Sequence, residues 1–536
     1  MCGIFIYVGE KLTPYTLYSA FMNTSLRGPD DNILKQINKN LTFGFHRLSI
    51  MDVSYKGNQP LYHPSKPYVI ICNGEIYNYK QLKDENNFET FSDSDCEILL
   101  YMYDKYGIEE TVKQIDSESF SFCLYDGYKN EIFIARDRFG VRPLFICKTE
   151  NNEYILSSEM KSIHPIVSQT DKIEQFQPGS WANLKLDNFN NSQINYNEYF
   201  SYTFQEIHDN EKIICENIKN LLKKSIKKRM MSDRKIGCLL SGGLDSSIIS
   251  ALVADEMRKR GETLETFSIG IKGSTDIEYA KLVAEHIGSI HHSVELSEDE
   301  FLNAIPDVIY NIESYDTTTV RASTGNYLIG KYIRENTDIK VIFNGDGSDE
   351  QSGYIYLKKA PSPKEFKDEC VKLLKEIHFY DVLRSDRSLS SRFSLETRTP
   401  FLDTDFVNYY MSIDTKLKMY DNRIEKYLLR KSFEGENLLP DSVLWRKKEA
   451  FSDGCSSVER SWHNIIKEFV DKFVTDDEFY KNKNNYTFNM PQLKETYFYR
   501  TLFESYYPSR SNIIPHYWLP NWDNKVDPSA RELDIY

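Results

Sequence analysis

Two hydrophobic periods alternate along the second half of this chain. Lys235–Leu240 is a short apolar run of strand length, and Ser246–Arg260 carries Ile248, Ile249, Leu252, Val253 and Met257 at helical spacing. The alternation then repeats. Leu264–Ile271 reads as a strand, Ile277–Gly288 as a helix, His291–Leu296 as a strand, Phe301–Tyr310 and Ala322–Asn336 as helices, and Ile339–Phe343 as a strand. Repeated strand–helix units predict a parallel sheet covered on both faces, with ligands at the carboxyl ends of its strands. The loop after Leu240, Ile269 and the loop after Phe343 should converge there. The first part of the chain reads differently. Met1–Tyr7 starts as a strand, and 150–200 is strand-rich, with a turn at Gln177–Trp181 and an asparagine-rich loop at Asn188–Asn197. A boundary near Ser201–Glu211 precedes an amphipathic helix at Glu216–Met231, whose Lys223, Lys224, Lys227, Lys228 and Arg229 read as a solvated face. His291 and His292 point to opposite faces of a strand and read as structural.

Between the first strand and helix of the second half stands Ser241-Gly242-Gly243-Leu244-Asp245-Ser246-Ser247. Two glycines let the backbone curl tightly, and the helix that follows offers free N–H groups and its dipole to an anion. The stretch lacks the Gly-Lys-[Ser/Thr] ending of a Walker loop. It resembles the pyrophosphate loop of enzymes that cleave ATP to AMP and PPi.

Composition narrows the function classes. The chain has 536 residues, enough for two or more domains, and 40% hydrophobic and 27% charged residues are ordinary for a globular protein. A net charge of −14 gives no general basic surface and argues against nucleic acid. Nine scattered cysteines, without Cys-x-x-Cys spacing, favour reduced thiols in an intracellular, cytoplasmic setting. No apolar run reaches membrane-spanning length and no leader-like segment precedes the first strand, so neither a membrane nor export is expected.

Cys2 stands next to the initiator. Once Met1 is removed, thiol and α-amine share one residue, and the amine, titrating near pH ~7.7–8 in its neutral form, can accept the thiol's proton. The chain then shows Arg27-Gly28-Pro29-Asp30-Asp31, His46–Ile50, Asn73–Asn78, Ser94–Glu97, Ala135–Phe145 and Ser158–Lys161 in that order. Together with Met1–Phe5 these resemble the class II glutamine amidotransferase domain. Ser268–Gly270, Tyr315–Thr324, Gly345–Glu350, Gly353–Tyr356, Glu396–Asp403, Trp445–Gly454 and Asp527–Arg531 are similar to the asparagine synthetase domain. The fused order is that of the glutamine-hydrolysing asparagine synthetase family.

The resemblance implies an α+β N-terminal-nucleophile domain, an αββα sandwich over 2–200, and an α/β doubly wound pyrophosphate-loop ATPase domain over 212–536. It implies Cys2 as nucleophile with Asn73 and Gly74 as oxyanion hole. Arg47, Leu48, Ser49, Ile50, Met51, Glu75 and Asp95 join Asn73 and Gly74 around glutamine. ATP falls to Leu239, Ser241, Gly242, Gly243, Asp245, Ser246, Ser247, Ile269, Asn344 and Gly345. Asp245 and Asp349 hold Mg²⁺, and Asp346 and Lys448 serve the synthetase chemistry. Small-molecule substrates and a homodimer come with the family. The chain departs from the family pattern with Leu26 for His, Asn344 for Ser, Asp346 for Glu, Gly325 for Pro, Gln351-Ser352 for Phe-Gly and Ser394 for Gly. Three other readings stay open at this point: a β-lactam-forming or peptide-amidating synthetase, an inactive binding homologue, and an amidotransferase with a sugar-phosphate or phosphoribosyl half.

Overall fold

A computed structural model describes every residue except 192, 421–422, 449–453, 458, 524 and 530–536. Of the motifs above, Glu449, Phe451, Ser452, Asp453, Ala530 and Arg531 therefore lie outside the described residues.

The first half forms two six-stranded sheets. One holds β1 (Gly3–Val8), β2 (Asp31–Asn38), β3 (Leu41–Arg47), β8 (Phe145–Lys148), β9 (Tyr154–Ser157) and β10 (Ile173–Gln175). The other holds β4 (Leu61–Tyr62), β5 (Tyr68–Gly74), β6 (Phe120–Asp126), β7 (Glu131–Arg136), β11 (Ser180–Lys185) and β12 (Asn197–Glu198). Strand alternation decides what each sheet faces. Ile4, Ile6 and Val8 of β1 pack with Val69 and Ile71 of β5, so the sheets face each other. Phe5 and Tyr7 point the other way, toward Leu17 and Phe21 of the helix Pro14–Met22. Ile70 and Cys72 likewise turn to Leu99, Met102 and Val112 of the helix Ile98–Gln114. Helix, sheet, sheet, helix is the expected sandwich.

The second half is built on five parallel strands in the order β15-β14-β13-β16-β17: Ile290–Leu296, Glu265–Ile271, Ile236–Leu239, Val341–Phe343 and Glu396–Arg398. Val341 and Phe343 pack with the helices Glu211–Arg229 and Leu244–Lys259, whereas Ile342 packs with Glu298–Ile312, Thr317–Asn336 and Asp381–Phe393. Both faces are covered, as the alternation predicts. β17 escapes the sequence reading because three residues are too few to show a period.

The two halves share apolar cores. Phe5, Leu17 and Met160 of the first lie in one buried cluster with Ile305, Ile309 and Ile312 of the second. The helix Glu211–Arg229 corrects one expectation. Lys224 is solvated, but Arg229 is fully buried and paired with Glu118 and Asp403, and Lys228 bonds Asp116 at 2.7 Å. The end of the charge run is a clamp between the halves rather than a solvent face. The predicted loop at Asn188–Asn197 is replaced in part by a 3₁₀ turn, Leu186–Asn191.

Candidate active sites

β1 pairs with β3, Gly3 opposite His46, and so brings Cys2 to the segment that follows Arg47. Cys2 Sγ donates to the Leu48 carbonyl at 3.6 Å, and the Cys2 carbonyl accepts from Arg27 Nε at 2.8 Å. Burial pushes the thiol pKa up, against the opposing pull of the amino terminus. With Met1 in place that amine is itself buried, and burial lowers it to about 6.

Asn73, the last residue but one of β5, stands opposite Ser121 and is fully buried, yet neither its Oδ1 nor its Nδ2 has a partner. Buried side-chain amides are ordinarily satisfied, so an orphan amide on the face of β5 that Val69 and Ile71 turn to β1 marks a place for a guest. Gly74 follows it, and its carbonyl accepts from Cys96 Sγ at 3.5 Å. Neither residue makes the tight hairpin that Asn-Gly often makes; both belong to the strand. Asp95 accepts from the Ile76 N–H at 2.6 Å, and one Glu75 carboxylate oxygen accepts no hydrogen bond, its nearest cation being Arg398 at 3.7 Å. Burial lifts Asp95 to about 7, and burial with Glu396 and Asp95 nearby lifts Glu75 well above the carboxylate range.

Arg47 is buried rather than exposed and donates to the carbonyl of Ser54 at 2.7 Å, to Asn58 Oδ1 and to the Asp52 carbonyl. It ties down the segment that carries Ser49 and Met51. Ser49 N–H donates to Asp30 at 2.8 Å. The Leu48 and Ile50 side chains sit in the apolar cluster of the second half; the Leu48 carbonyl meets the thiol, whereas the Ile50 carbonyl accepts from the Asp233 N–H at 3.0 Å.

At the carboxyl ends of β13, β14 and β16 lies a cavity of about 240 Å³. Leu239, Ser241, Gly243, Asp245 and Ser246 line it from the first loop, Ile269 from β14, and Asn344, Gly345, Asp346 and Asp349 from the loop after β16. The helix begins at Leu244 with no side-chain cap, which leaves its first N–H groups for a ligand. Gly242 has φ +75°, and a Cβ there would meet the Ala280 backbone nitrogen at 2.5 Å. Its place is geometric, off the cavity wall. Ser247 is also off the wall: it is fully buried, and its N–H is already bonded to the Gly243 carbonyl at 3.1 Å.

Charge in this cavity is dense and paired. Lys426 Nζ lies 2.5 Å from both Asp245 and Asp349. Lys448 also pairs with Asp349 and donates to the Gly353 carbonyl at 3.1 Å. Burial alone would raise Asp349, but Lys426 and Lys448 outweigh it and hold the carboxyl well below its usual range. Two carboxylates from different loops, bridged here by an ammonium, form a hard oxygen donor set suited to a divalent cation. Tyr354 donates to Asp381 at 2.6 Å and Glu350 at 3.0 Å, and burial with Asp381 lifts Glu350 well above its usual pKa.

Residues 1–195 match the glutamine amidotransferase domain family, and 217–367 with 354–525 match the asparagine synthase family. The asparagine synthetase [glutamine-hydrolyzing] of Gallus gallus is 43% identical over 100% of this chain and 99% of its own length. The enzymes of that name from Rattus norvegicus and Homo sapiens are 43% and 42% identical over the same shares. The chain belongs to the glutamine-hydrolysing asparagine synthetase family.

Within that family frame the departures find their places. Leu26, 40% exposed, has no side-chain polar role, but its carbonyl accepts from Ser394 Oγ at 2.6 Å. Two departures thus meet across the halves, and Ser394 sits at φ +56°, where its hydroxyl gains a bond that glycine could not make. Gln351 donates to the Gly347 and Phe401 carbonyls, both at 2.8 Å, which braces the loop after β16. Nothing in the structure explains Gly325. The sequence reading missed Lys426, Arg384, Glu350 and Asp381, all of which line the synthetase cavity. Glu350 closes the Gly345–Glu350 string but was given no role there; Lys426, Arg384 and Asp381 lie outside the glycine-rich strings, and their one local sign is the buried lysine at φ +56°.

Proposed function

We propose that this enzyme makes asparagine from aspartate, ATP and glutamine at two centres in one chain. The amidotransferase half spans 2–200 and the synthetase half 212–536; the sheet composition and the family matches support that division. The observation that carries the reading is the pairing of two unusual features: the buried, unpartnered Asn73 amide, on the face of β5 that Val69 and Ile71 turn to β1, and the uncapped helix start at Leu244 facing a cavity lined by acid and lysine.

At the first centre Cys2, freed of Met1, transfers its thiol proton to its own α-amine and attacks the glutamine side-chain amide. The Asn73 amide and the Gly74 N–H receive the oxyanion, and ammonia leaves as a glutamyl thioester forms. Glu75 and Asp95 take the glutamine ammonium, with the backbone of 48–51 against the rest of the substrate. Arg47 holds the glutamine carboxylate once it gives up part of its grip on the 52–58 turn. Water then releases glutamate.

At the second centre the β-carboxylate of aspartate attacks the α-phosphorus of ATP, giving β-aspartyl-AMP and PPi. Ser241, Gly243, Asp245 and Ser246 with the first helical N–H groups bind the pyrophosphate, while Leu239, Ile269, Gly345 and the backbone of Asn344 bind the nucleotide. Lys448 stabilises negative charge during adenylation, and Asp346 faces the incoming ammonia, which displaces AMP to give asparagine. Asp245 and Asp349 fit Mg²⁺, which when bound offsets the charge of the phosphates. A homodimer in the cytoplasm is what the family leads one to expect; among the described residues, no helix is long and apolar enough to cross a membrane. Pyrophosphate release that depends on both aspartate and ATP tests the reading. Its absence with folded enzyme would refute it.

A further inference from the structure

Asn344 and Asp346 are two departures from the family string, and the structure joins them. Asn344 Nδ2 donates to Asp346 Oδ2 at 2.8 Å, and Asn344 Oδ1 accepts from the Asp346 N–H at 3.3 Å. The second carboxylate oxygen, Oδ1, accepts from Arg384 NH2 at 2.7 Å. Arg384 is held in turn by Asp381 at 3.2 Å. Both oxygens of Asp346 are therefore fixed, one from its own loop and one from the helix Asp381–Phe393. The loop itself has little freedom. A Cβ at Gly345 would meet Asp245 Cβ at 2.8 Å, Gly347 takes φ +91° against Leu402, and the Asn344 N–H donates to the Arg398 carbonyl at 3.1 Å. With the backbone pinned, the reach of the carboxylate into the cavity is set by its own length and by its two donors.

We infer that Asn344 and Arg384 are positioning residues for a shortened carboxylate, so that Asn344 and Asp346 form one functional unit. A serine hydroxyl at 344 can accept from the Asp346 N–H and donate its one proton, but its Oγ lies one bond nearer the backbone than the Asn344 Nδ2 and reaches less far toward the carboxylate oxygen that the amide holds. A glutamate at 346 carries its oxygens one methylene beyond the point where the Asn344 amide and Arg384 meet them. Each departure alone leaves a carboxylate misdirected; together they restore a fixed acceptor in the cavity that receives ammonia. The side chain of Asn344 thus serves Asp346 rather than the nucleotide.

This rests on the asparagine-forming reading, and the two fail separately. Wild-type pyrophosphate release with aspartate and ATP tests that reading; a double-mutant cycle tests this inference. Asn344→Ser, Asp346→Glu and the double variant are assayed for ammonium-dependent asparagine formation, with glutamine hydrolysis as the check on an intact fold. Each single variant is expected to lose roughly tenfold in kcat, with KM for ATP changed less than about twofold. The double variant is expected to recover most of that loss, a non-additivity that independent sites do not show. Arg384→Lys should lower kcat in both Asp346 backgrounds. Additive losses in the double variant would overturn the inference, as would an Asn344→Ser enzyme whose only defect is a raised KM for ATP.

Discussion

Arg398 holds its guanidinium 3.7 Å from the Glu75 carboxylate while its backbone carbonyl accepts from the Asn344 N–H. The side chain reaches a candidate glutamine-site acid, and the main chain of the same residue braces the loop after β16 at the candidate nucleotide cavity. Glu396 completes the contact, bonded to Arg398 at 2.8 Å. The two centres are thus tied through a single buried residue at the end of β17.

Replacing that residue should touch both centres. Arg398→Met leaves Glu396 and Glu75 without their cation, and the loss of one partner from a buried ion pair costs about 3–5 kcal/mol. Chemical denaturation should show the loss, with glutamine hydrolysis and pyrophosphate release reduced together. Full synthetase activity in a variant impaired only with glutamine would show that the main-chain brace does not depend on the side chain.

Asn73 makes the opposite case. Its amide satisfies nothing in the protein, and an unsatisfied buried polar group costs about 1–3 kcal/mol. Asn73→Ala should therefore unfold no more easily than wild type while glutamine turnover falls roughly 100-fold. A destabilised variant with normal turnover would mean that the amide is part of the packing and not of the oxyanion hole.

The pH dependence of glutamine use follows from Asp95. Burial raises its pKa to about 7, so below that pH it is protonated and cannot pair with a substrate ammonium. KM for glutamine should rise as pH falls through about 7, while ammonium-supported activity at fixed free ammonia lacks this inflection. The same shift has a stability sign. A carboxyl whose folded pKa is raised keeps its proton while the unfolded chain has lost its own, so stability falls as pH rises from about 4 toward 7. Asp95→Asn should remove that fall. A melting difference between the two proteins that is the same at pH 5 and pH 8 would count against it.

Asp245 sits in the first turn of the helix Leu244–Lys259 and pairs with Lys426 at 2.5 Å. Asp245→Ala should stop pyrophosphate release and leave glutamine hydrolysis intact, since Lys426 and the proposed cation site lose one carboxylate and the first centre loses nothing. Parallel loss of glutamine hydrolysis would show that the two centres cannot be separated this way. Titration of Mg²⁺ against the wild type and Asp245→Ala gives the same answer through affinity.

What the sequence made legible is what is local. Ser241–Ser247 declares its turn and helix start because glycine geometry and helix capping act over a few neighbouring residues, and the Asn73-Gly74 and Cys2 motifs are equally compact. The alternation that gives the parallel sheet is a short-range signal too. Lys426 and Arg384 were not legible, since their partners Asp245 and Asp346 lie 181 and 38 positions away in the chain. Arg229 was misread for the same reason: a charge run looks solvated until Glu118 and Asp403, from distant segments, close over it. Ser247 shows the limit of a motif, because helical periodicity turns it from the cavity toward the core while Ser246 faces the ligand side.

The division of labour between a thiol centre and a nucleotide centre is tested most directly by Cys2→Ala, assayed for asparagine and pyrophosphate with aspartate, ATP and either glutamine or ammonium. The expected result is no asparagine from glutamine and near-wild-type asparagine, with matching pyrophosphate, from ammonium. Asparagine formation from glutamine by the alanine variant would contradict the account, as would loss of the ammonium reaction in a variant that is still folded.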